Sequence, residues 1–163
     1  MGGNITEHVG FSNYTDLNNG NTFTLAQYGV THKVNNKFSV STDIGLATNW
    51  TKEKDLLLNV DGKASYKVTD NFSVGFRSRN IGGNDYAYSA NRFSITSTAP
   101  ITDEINIYLT GANTTKFAGR KPTNYTSIFG GFEYNKGNTS AFAELDKTVD
   151  GNLSFNVGCK VKF

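Results

Sequence analysis

Few residues in this sequence have the types and spacing that chemistry requires. His8 and His32 are its only histidines and Cys159 is its only cysteine, so a Cys/His cluster at zinc-ligand spacing and an internal disulfide are both excluded. No Ser/His/Asp set, Gly-rich phosphate loop or recognisably spaced pair of carboxylates occurs. We therefore predict no catalytic residues, no metal and no cofactor, and we expect that the protein is not an enzyme.

The charge balance argues against a nucleic-acid partner. Lys and Arg total 16 and Asp and Glu total 14, which gives a formal net charge of +2. A surface that binds phosphates usually shows a clear excess of basic residues. We therefore expect that the protein does not bind nucleic acid.

Apolar and polar residues alternate with a period of two in segments spread along the chain, which is typical of β-strands with one polar face. In the last segment, Phe155 and Val157 fall on one face and Ser154 and Asn156 on the other. The hairpin within residues 38–68 follows the same rule. Two segments, 22–34 and 124–135, carry apolar residues on both faces, so their orientation stays open.

The connections between these segments indicate an up-and-down meander. Tight turns fall at residues 35–36, 69–71, 102–103 and 135–138, and they alternate with longer loops centred on residues 51–55, 81–91 and 114–123. No apolar run approaches the ~20 residues of a transmembrane helix, so any crossing of a membrane is by strands. We predict one all-β domain over residues 1–163, an up-and-down antiparallel transmembrane β-barrel. The alternation of turns and loops is satisfied by ten strands if the first begins at His8. Eight strands are the alternative.

The charged residues in the middle of these strands fall on the polar face. If the apolar face meets lipid, they form a charge network in the lumen, and this network comprises Asp43, Asp61, Lys63, Arg77, Arg79, Glu144 and Asp146. A barrel of about ten strands is only slightly wider than one that side chains fill completely. We therefore expect a narrow or plugged lumen, with interlocked ion pairs favoured over a conducting path.

The final eight residues carry a resemblance to a known family. Residues 156–163 read Asn-Val-Gly-Cys-Lys-Val-Lys-Phe. This resembles the C-terminal signal of bacterial outer-membrane β-barrel proteins, with its polar residue at Asn156, its glycine at Gly158, its hydrophobic residue at Val161 and its aromatic at Phe163. The resemblance implies insertion by a barrel-assembly machinery and location in the bacterial outer membrane.

Aromatic residues near the predicted strand ends are consistent with the interfacial girdles of membrane barrels. The predicted interface aromatics are Phe38, Trp50, Tyr66, Phe72, Phe93 and Tyr134. Two predicted loops also carry exposed aromatic and basic residues that we consider for ligand binding, namely Tyr86, Tyr88, Lys116, Phe117, Arg120 and Lys121. We favour the simpler interpretation that these cations neutralise lipid phosphates.

These observations lead to two hypotheses of different classes. The first is an outer-membrane barrel with a charged lumen that acts as a structural protein, an adhesin or a small channel, with membrane lipid as its partner. The second is a soluble or virion-associated β-barrel or sandwich that binds a surface ligand such as carbohydrate. Residues 1–7 lack the basic and apolar regions of a signal peptide, which indicates a mature chain with an added Met or argues against export.

Overall fold

The computed structural model describes residues 4–49, 56–83, 87–118 and 121–163, and within these it contains ten β-strands. In chain order they are β1 (Asn4–Asp16), β2 (Thr22–Lys33), β3 (Phe38–Asn49), β4 (Leu56–Thr69), β5 (Phe72–Gly82), β6 (Ala87–Pro100), β7 (Ile105–Phe117), β8 (Thr123–Lys136), β9 (Thr139–Thr148) and β10 (Leu153–Lys162). No helix in the described ranges is long and apolar enough to cross a membrane.

The strands form a closed antiparallel barrel in which each strand pairs with its neighbours in the sequence. The barrel closes where β1 pairs with β10, with Val9 opposite Val161, and the amide of Phe163 donates to the carbonyl of Glu7 at 3.0 Å. Closure removes the sheet edges that would otherwise present unpaired backbone groups. The prediction of an all-β, up-and-down barrel of ten strands is confirmed.

The barrel is apolar outside and polar inside, the reverse of a water-soluble protein. The largest fully buried side chains of the described residues are all polar, and they include His8, Asp43 and Asp61. Large hydrophobic side chains are instead exposed on the outer wall, as with Phe93 and Leu109, which are 65% and 60% exposed. A small apolar cluster inside contains Leu25, Ala47 and Leu57. Strand alternation alone sorts the residues in this way, because successive side chains point to opposite faces.

The two strands whose orientation the sequence left open have defined faces in the structure. On β2, Leu25 and Gly29 are buried inside the barrel whereas Tyr28 is exposed outside. On β8, Ser127 is buried whereas Ile128 is exposed. Pairing with neighbours of clear polarity fixes these faces, because a shift of one residue would turn every side chain to the opposite side.

The prediction of long loops at one rim is wrong for two of the three. Strand β6 begins at Ala87 and β7 extends to Phe117, so the connections there comprise only residues 83–86 and 118–122. Apart from Ala87 and Phe117, the outward residues near these strand ends are polar, and Asn113 Nδ2 donates to Thr126 Oγ1 at 3.3 Å. Because both faces are polar at this rim, the alternation that marks a strand is lost. The third predicted loop, 51–55, lies outside the described residues.

Candidate functional site: the charged lumen

Asp43 is the centre of the most buried polar cluster in the lumen. Its carboxylate has no exposed surface, and its Oδ1 lies 2.6 Å from His8 Nε2 and accepts a hydrogen bond from Gln27 Nε2 at 3.2 Å. Its Oδ2 accepts from Lys63 Nζ at 3.0 Å. The four residues come from β1, β2, β3 and β4, so the cluster joins four adjacent strands.

Gly29 makes the approach of His8 to Asp43 sterically feasible. It is buried on the inner face of β2 between the strands that carry these two residues. A β-carbon at Gly29 would overlap Asp43 Oδ1 and would lie 2.5 Å from His8 Nε2. The absence of a side chain on β2 at this level therefore provides the space in which the imidazole and the carboxylate meet.

Asp61 is the second fully buried carboxylate, and two arginines bind it. Arg77 Nε donates to both carboxylate oxygens at 2.9 Å, and its Nη2 also donates to Oδ2. Arg79 donates to Oδ2 through Nε at 3.1 Å and Nη2 at 3.0 Å. Lys63 Nζ lies 3.9 Å from Asp61 Oδ2 and so connects the two clusters. We call His8, Gln27, Asp43, Asp61, Lys63, Arg77 and Arg79 the lumen network.

Two of the predicted lumen residues do not join this network. Glu144 accepts hydrogen bonds from Tyr108 at 2.8 Å and from Asn156 Nδ2 at 2.9 Å, both of them neutral donors. Asp146 is half-buried on the same strand, and its Oδ1 has no hydrogen-bond partner among the described residues. The structure thus divides the seven residues into an ion-paired group of five and two acids on β9.

Arg92 is a lumen residue that the sequence analysis did not select. It lies on β6 directly opposite Arg77 on β5, so two cations are cross-strand neighbours. Arg92 Nε donates to Thr114 Oγ1 at 3.1 Å, and its guanidinium lies 5.3 Å from the centroid of the Phe129 ring. None of the ion pairs within the described ranges involves Arg92. No signal in the sequence distinguishes this arginine, because its importance depends on its neighbours across the barrel.

Two cavities adjoin the Arg77–Arg92 pair. The larger has a volume of about 220 Å³ and is lined by four hydroxyl side chains, three basic side chains and Phe129 among others. The smaller, of about 40 Å³, is lined by Arg79, Tyr88 and Thr114 among others. Arg77 and Arg92 line both cavities. These two guanidinium groups therefore form a partition between two spaces in the lumen.

The predicted interface aromatics of the described residues lie on the outer wall. Phe93 is 65% exposed, Tyr66 and Phe72 are exposed, and Phe38 and Tyr134 are half-buried. Trp50 lies outside the described residues. Four of these five rings lie near the ends of their strands, whereas Phe93 lies in the middle of β6.

The four residues of the C-terminal segment divide between the two faces of β10. Val161 and Phe163 are exposed on the outside, and Phe163 is 70% exposed. Asn156 lies in the lumen, where it contacts Glu144, and Gly158 lies against the Phe142 ring. A β-carbon at Gly158 would lie 2.5 Å from that ring. This glycine therefore has a packing role in the finished barrel.

The residues predicted to bind a ligand in loops belong largely to the barrel wall. Tyr88 and Lys116 are on β6 and β7, and Lys116 Nζ lies 5.1 Å from the centroid of the Tyr88 ring. Phe117 ends β7 and is exposed, and Lys121 is exposed in the following connection. Assigning Tyr88, Lys116 and Phe117 to loops was wrong, since the strands continue through them. The two remaining residues, Tyr86 and Arg120, lie outside the described residues.

The other candidates for chemistry are dispersed. His32 is half-buried on β2 near the rim of short turns, and Cys159 is exposed on the outer face of β10. Within the described ranges, no three His, Cys, Asp or Glu residues are placed to hold a metal ion. The charged and polar side chains of the lumen network can recognise a solute by charge and hydrogen bonding.

Comparisons with known proteins show similarity at the level of structure. No protein-family model matches the chain, and no curated protein matches it in sequence. A KdgM porin is similar with a TM-score of 0.54 and 13% identity over 96% of this chain and 99% of that chain, and it has also been solved in complex with disordered oligogalacturonate. A NanC porin has a TM-score of 0.51 and 12% identity over 98% and 100% of the two chains.

A designed transmembrane β-barrel is similar to the same extent, with a TM-score of 0.52 and 10% identity over 97% of this chain and 95% of that one. The shared property is the fold. At these identities the likeness indicates how the chain folds, and the lumen side chains must account for what it does.

Proposed function

We propose that the chain is a bacterial outer-membrane β-barrel that acts as a small channel for hydrophilic solutes, with the lumen charges setting its selectivity. The observation that carries this proposal is the reversed polarity of the barrel. Its outer wall exposes many large hydrophobic side chains, and its interior buries carboxylates and a histidine and contains arginines that pair with a buried carboxylate. The porins that share the fold support the same interpretation.

The outer wall exposes too much apolar surface for a protein that is surrounded only by water. Its exposed hydrophobic residues occur on all ten strands or beside them, including Val9, Ile44, Leu58, Ile95 and Leu109. Soluble monomers rarely expose contiguous apolar patches larger than a few hundred Å². In a bilayer these side chains contact lipid tails instead of water, so the free-energy cost of exposing them to water disappears. Backbone pairing in the closed barrel also leaves no unsatisfied strand edge in lipid. This argues against the hypothesis of a soluble carbohydrate-binding barrel.

The lumen is narrow because the lumen network fills the side bounded by β1 to β5. A cavity of about 220 Å³ lies beside β4, β5, β6 and β8. Only small solutes that interact favourably with charged side chains would therefore pass through the lumen. The short connections at both rims give an adhesin little surface to present, so we favour the channel.

The first experiment asks whether the protein needs a bilayer and whether it conducts. The purified chain should fold only with detergent or lipid, migrate differently on gels before and after heating, and give small discrete conductance steps in planar bilayers. Heat-unfolded protein is the control. A monodisperse folded protein in buffer without detergent would contradict a membrane location. A folded barrel in lipid without conductance would leave a structural role and refute the channel.

The assembly role of the C-terminal segment has a separate test. We expect Phe163→Ala to reduce the amount of barrel inserted in outer membranes of cells while refolding in detergent is little changed. Phe117→Ala is the matched control, because Phe117 is also an exposed aromatic on the outer wall. Equal insertion of the two variants would show that Phe163 is not part of an assembly signal.

A further inference from the structure

The pairing of Arg77 with Arg92 is unfavourable unless something compensates it. Like charges directly opposite each other on adjacent strands destabilise a sheet. Asp61 compensates Arg77. Arg92 donates a hydrogen bond to the Thr114 hydroxyl and lies over the Phe129 ring, and among the described residues Asp146 attracts it only at longer range, without an ion pair. These contacts hold the guanidinium but compensate its charge only in part. The partition between the two cavities therefore carries an excess of positive charge.

The larger cavity supplies the other contacts that an anion with hydroxyl groups needs. Lys63, Arg77 and Arg92 contribute cationic donors, and the hydroxyl groups come from Ser65, Ser73, Ser94 and Thr96. The Phe129 ring, which Arg92 partly covers, adds an apolar contact to the lining. The volume of about 220 Å³ is below the usual range for drug-sized ligands and suits a smaller molecule.

We propose that this cavity binds the carboxylate or phosphate of a small hydroxylated solute, and that Arg92 determines its specificity. The proposal rests on the channel function and names the solute class. Arg77 is held by three hydrogen bonds to Asp61, whereas Arg92 exchanges the Thr114 hydroxyl for the anion at little cost. Because Arg92 lines both cavities, its movement toward a bound anion also alters the partition. The solute thus binds at the narrow point through which it must pass.

Asp146 and Glu144 favour one orientation of a bound anion in the site. They lie on β9, whereas the cationic groups lie on β4, β5 and β6. An anionic solute is attracted to the cationic side and repelled by the acids. Its charged group therefore points toward Arg92 and its hydroxyl groups toward the remaining lining.

The experiment measures binding to the full chain folded in detergent, by calorimetry and without any requirement for conductance. The probes are galacturonate, galactose 6-phosphate and neutral galactose. We expect at least one acidic sugar to bind about tenfold or more tightly than galactose. Binding of only one acid identifies the carboxylate or the phosphate as the preferred group. Arg92→Gln should abolish most of this preference.

The matched control is Lys160→Gln, which removes one positive charge from β10, a strand that contributes nothing to either cavity lining. It should change the affinity by less than about twofold. Arg92→Lys retains the charge but loses the planar fork, so it should bind with intermediate affinity. For the unmodified protein, a tenfold rise in salt should weaken binding of the acids only.

Three results would overturn the site. They are equal affinity for acidic and neutral sugars, unchanged affinity in folded Arg92→Gln, or salt-independent binding of the acids. If only the channel function is wrong, the barrel does not conduct in planar bilayers but still binds the acidic sugars in detergent. The two proposals can therefore fail independently.

Discussion

Two parts of the lumen wall hold their charges in opposite ways. On β1 to β5, the acids Asp43 and Asp61 contact the cations Lys63, Arg77 and Arg79 directly. On β6 to β9, the hydrogen-bond and ring partners of Arg92 and Glu144 are neutral. Thr114 and Phe129 contact Arg92, and Tyr108 and Asn156 contact Glu144. We call the first part the paired wall and the second the unpaired wall.

The difference separates a structural from a functional use of charge. Ion pairing on the paired wall cancels opposite charges, holds five strands together and fills the space between them. Neutral hydrogen bonds on the unpaired wall orient charged groups but leave their fields available to a solute. The same residue types therefore stabilise the barrel on one side and are free to select solutes on the other.

The largest expected effect is loss of the carboxylate that two arginines share. Asp61→Asn should lower the free energy of unfolding by about 3 to 5 kcal/mol, because it leaves two guanidinium groups unpaired. Asp146→Asn is the matched control on the unpaired wall, and we expect it to cost less than about 1 kcal/mol. Urea unfolding in lipid vesicles, followed by fluorescence, measures both. Similar costs for the two variants would show that the walls do not differ.

The next effect tests which face of a strand points outward and which points into the lumen. Val157→Arg should cost ~2 to 4 kcal/mol, because this side chain is on the outer wall, which meets hydrocarbon in the proposed membrane location. Asn156→Arg should cost clearly less, since that side chain faces the lumen and Glu144 can pair with it. The same unfolding titration applies. Equal losses would contradict the assignment of the two faces of β10.

A smaller effect tests how tightly the paired wall is packed. Gly29→Ala forces a β-carbon into Asp43 and His8, so we expect a loss of about 1 to 3 kcal/mol. Gly10→Ala is its control on the neighbouring strand, because a β-carbon there meets only ordinary contacts, with Gln27 Cγ at 3.5 Å. If Gly29→Ala is as stable as Gly10→Ala, the His8–Asp43 contact is not fixed by packing.

The smallest effect concerns the field of the unpaired wall. Asp146→Asn removes a negative charge that repels an anionic solute, so we expect the affinity for the acidic sugar to rise about twofold to threefold. The affinity for galactose should stay the same. Calorimetry on the folded variant measures both values. Reduced binding of the acid would mean that Asp146 contacts the solute rather than opposing it.

Alternation predicted the barrel because it is a local property of the chain. The faces of β10 and of the β3–β4 hairpin follow directly from residues two positions apart, and so does the inward placement of Asp43 and Asp61. The strand ends at Ala87 and Phe117 were missed because polar residues there occupy both faces. The extra hydrogen bond between Asn113 and Thr126 shows what holds such a wall without an apolar face.

The contacts that define the site could not be predicted from alternation. His8 and Asp43 are 35 residues apart and on strands that do not pair with each other. They meet only because Gly29 lies between them and because the stagger of the strands brings them to one level. Arg92 was missed for the same reason. Arg92 can be recognised as a site residue only when its neighbours Arg77, Thr114 and Phe129 are known. These neighbours come from three different strands, β5, β7 and β8.

The seam between β1 and β10 leads us to expect that the barrel forms in one cooperative step. Its nine paired positions join residues from opposite ends of the chain, from His8 with Lys162 to Asp16 with Ser154. Until that seam forms, β1 and β10 each present a row of unpaired amides and carbonyls, which hydrocarbon cannot satisfy. An intermediate that lacks the final strand therefore has no stable place in a bilayer. Cooperativity of this barrel is a consequence of its connectivity.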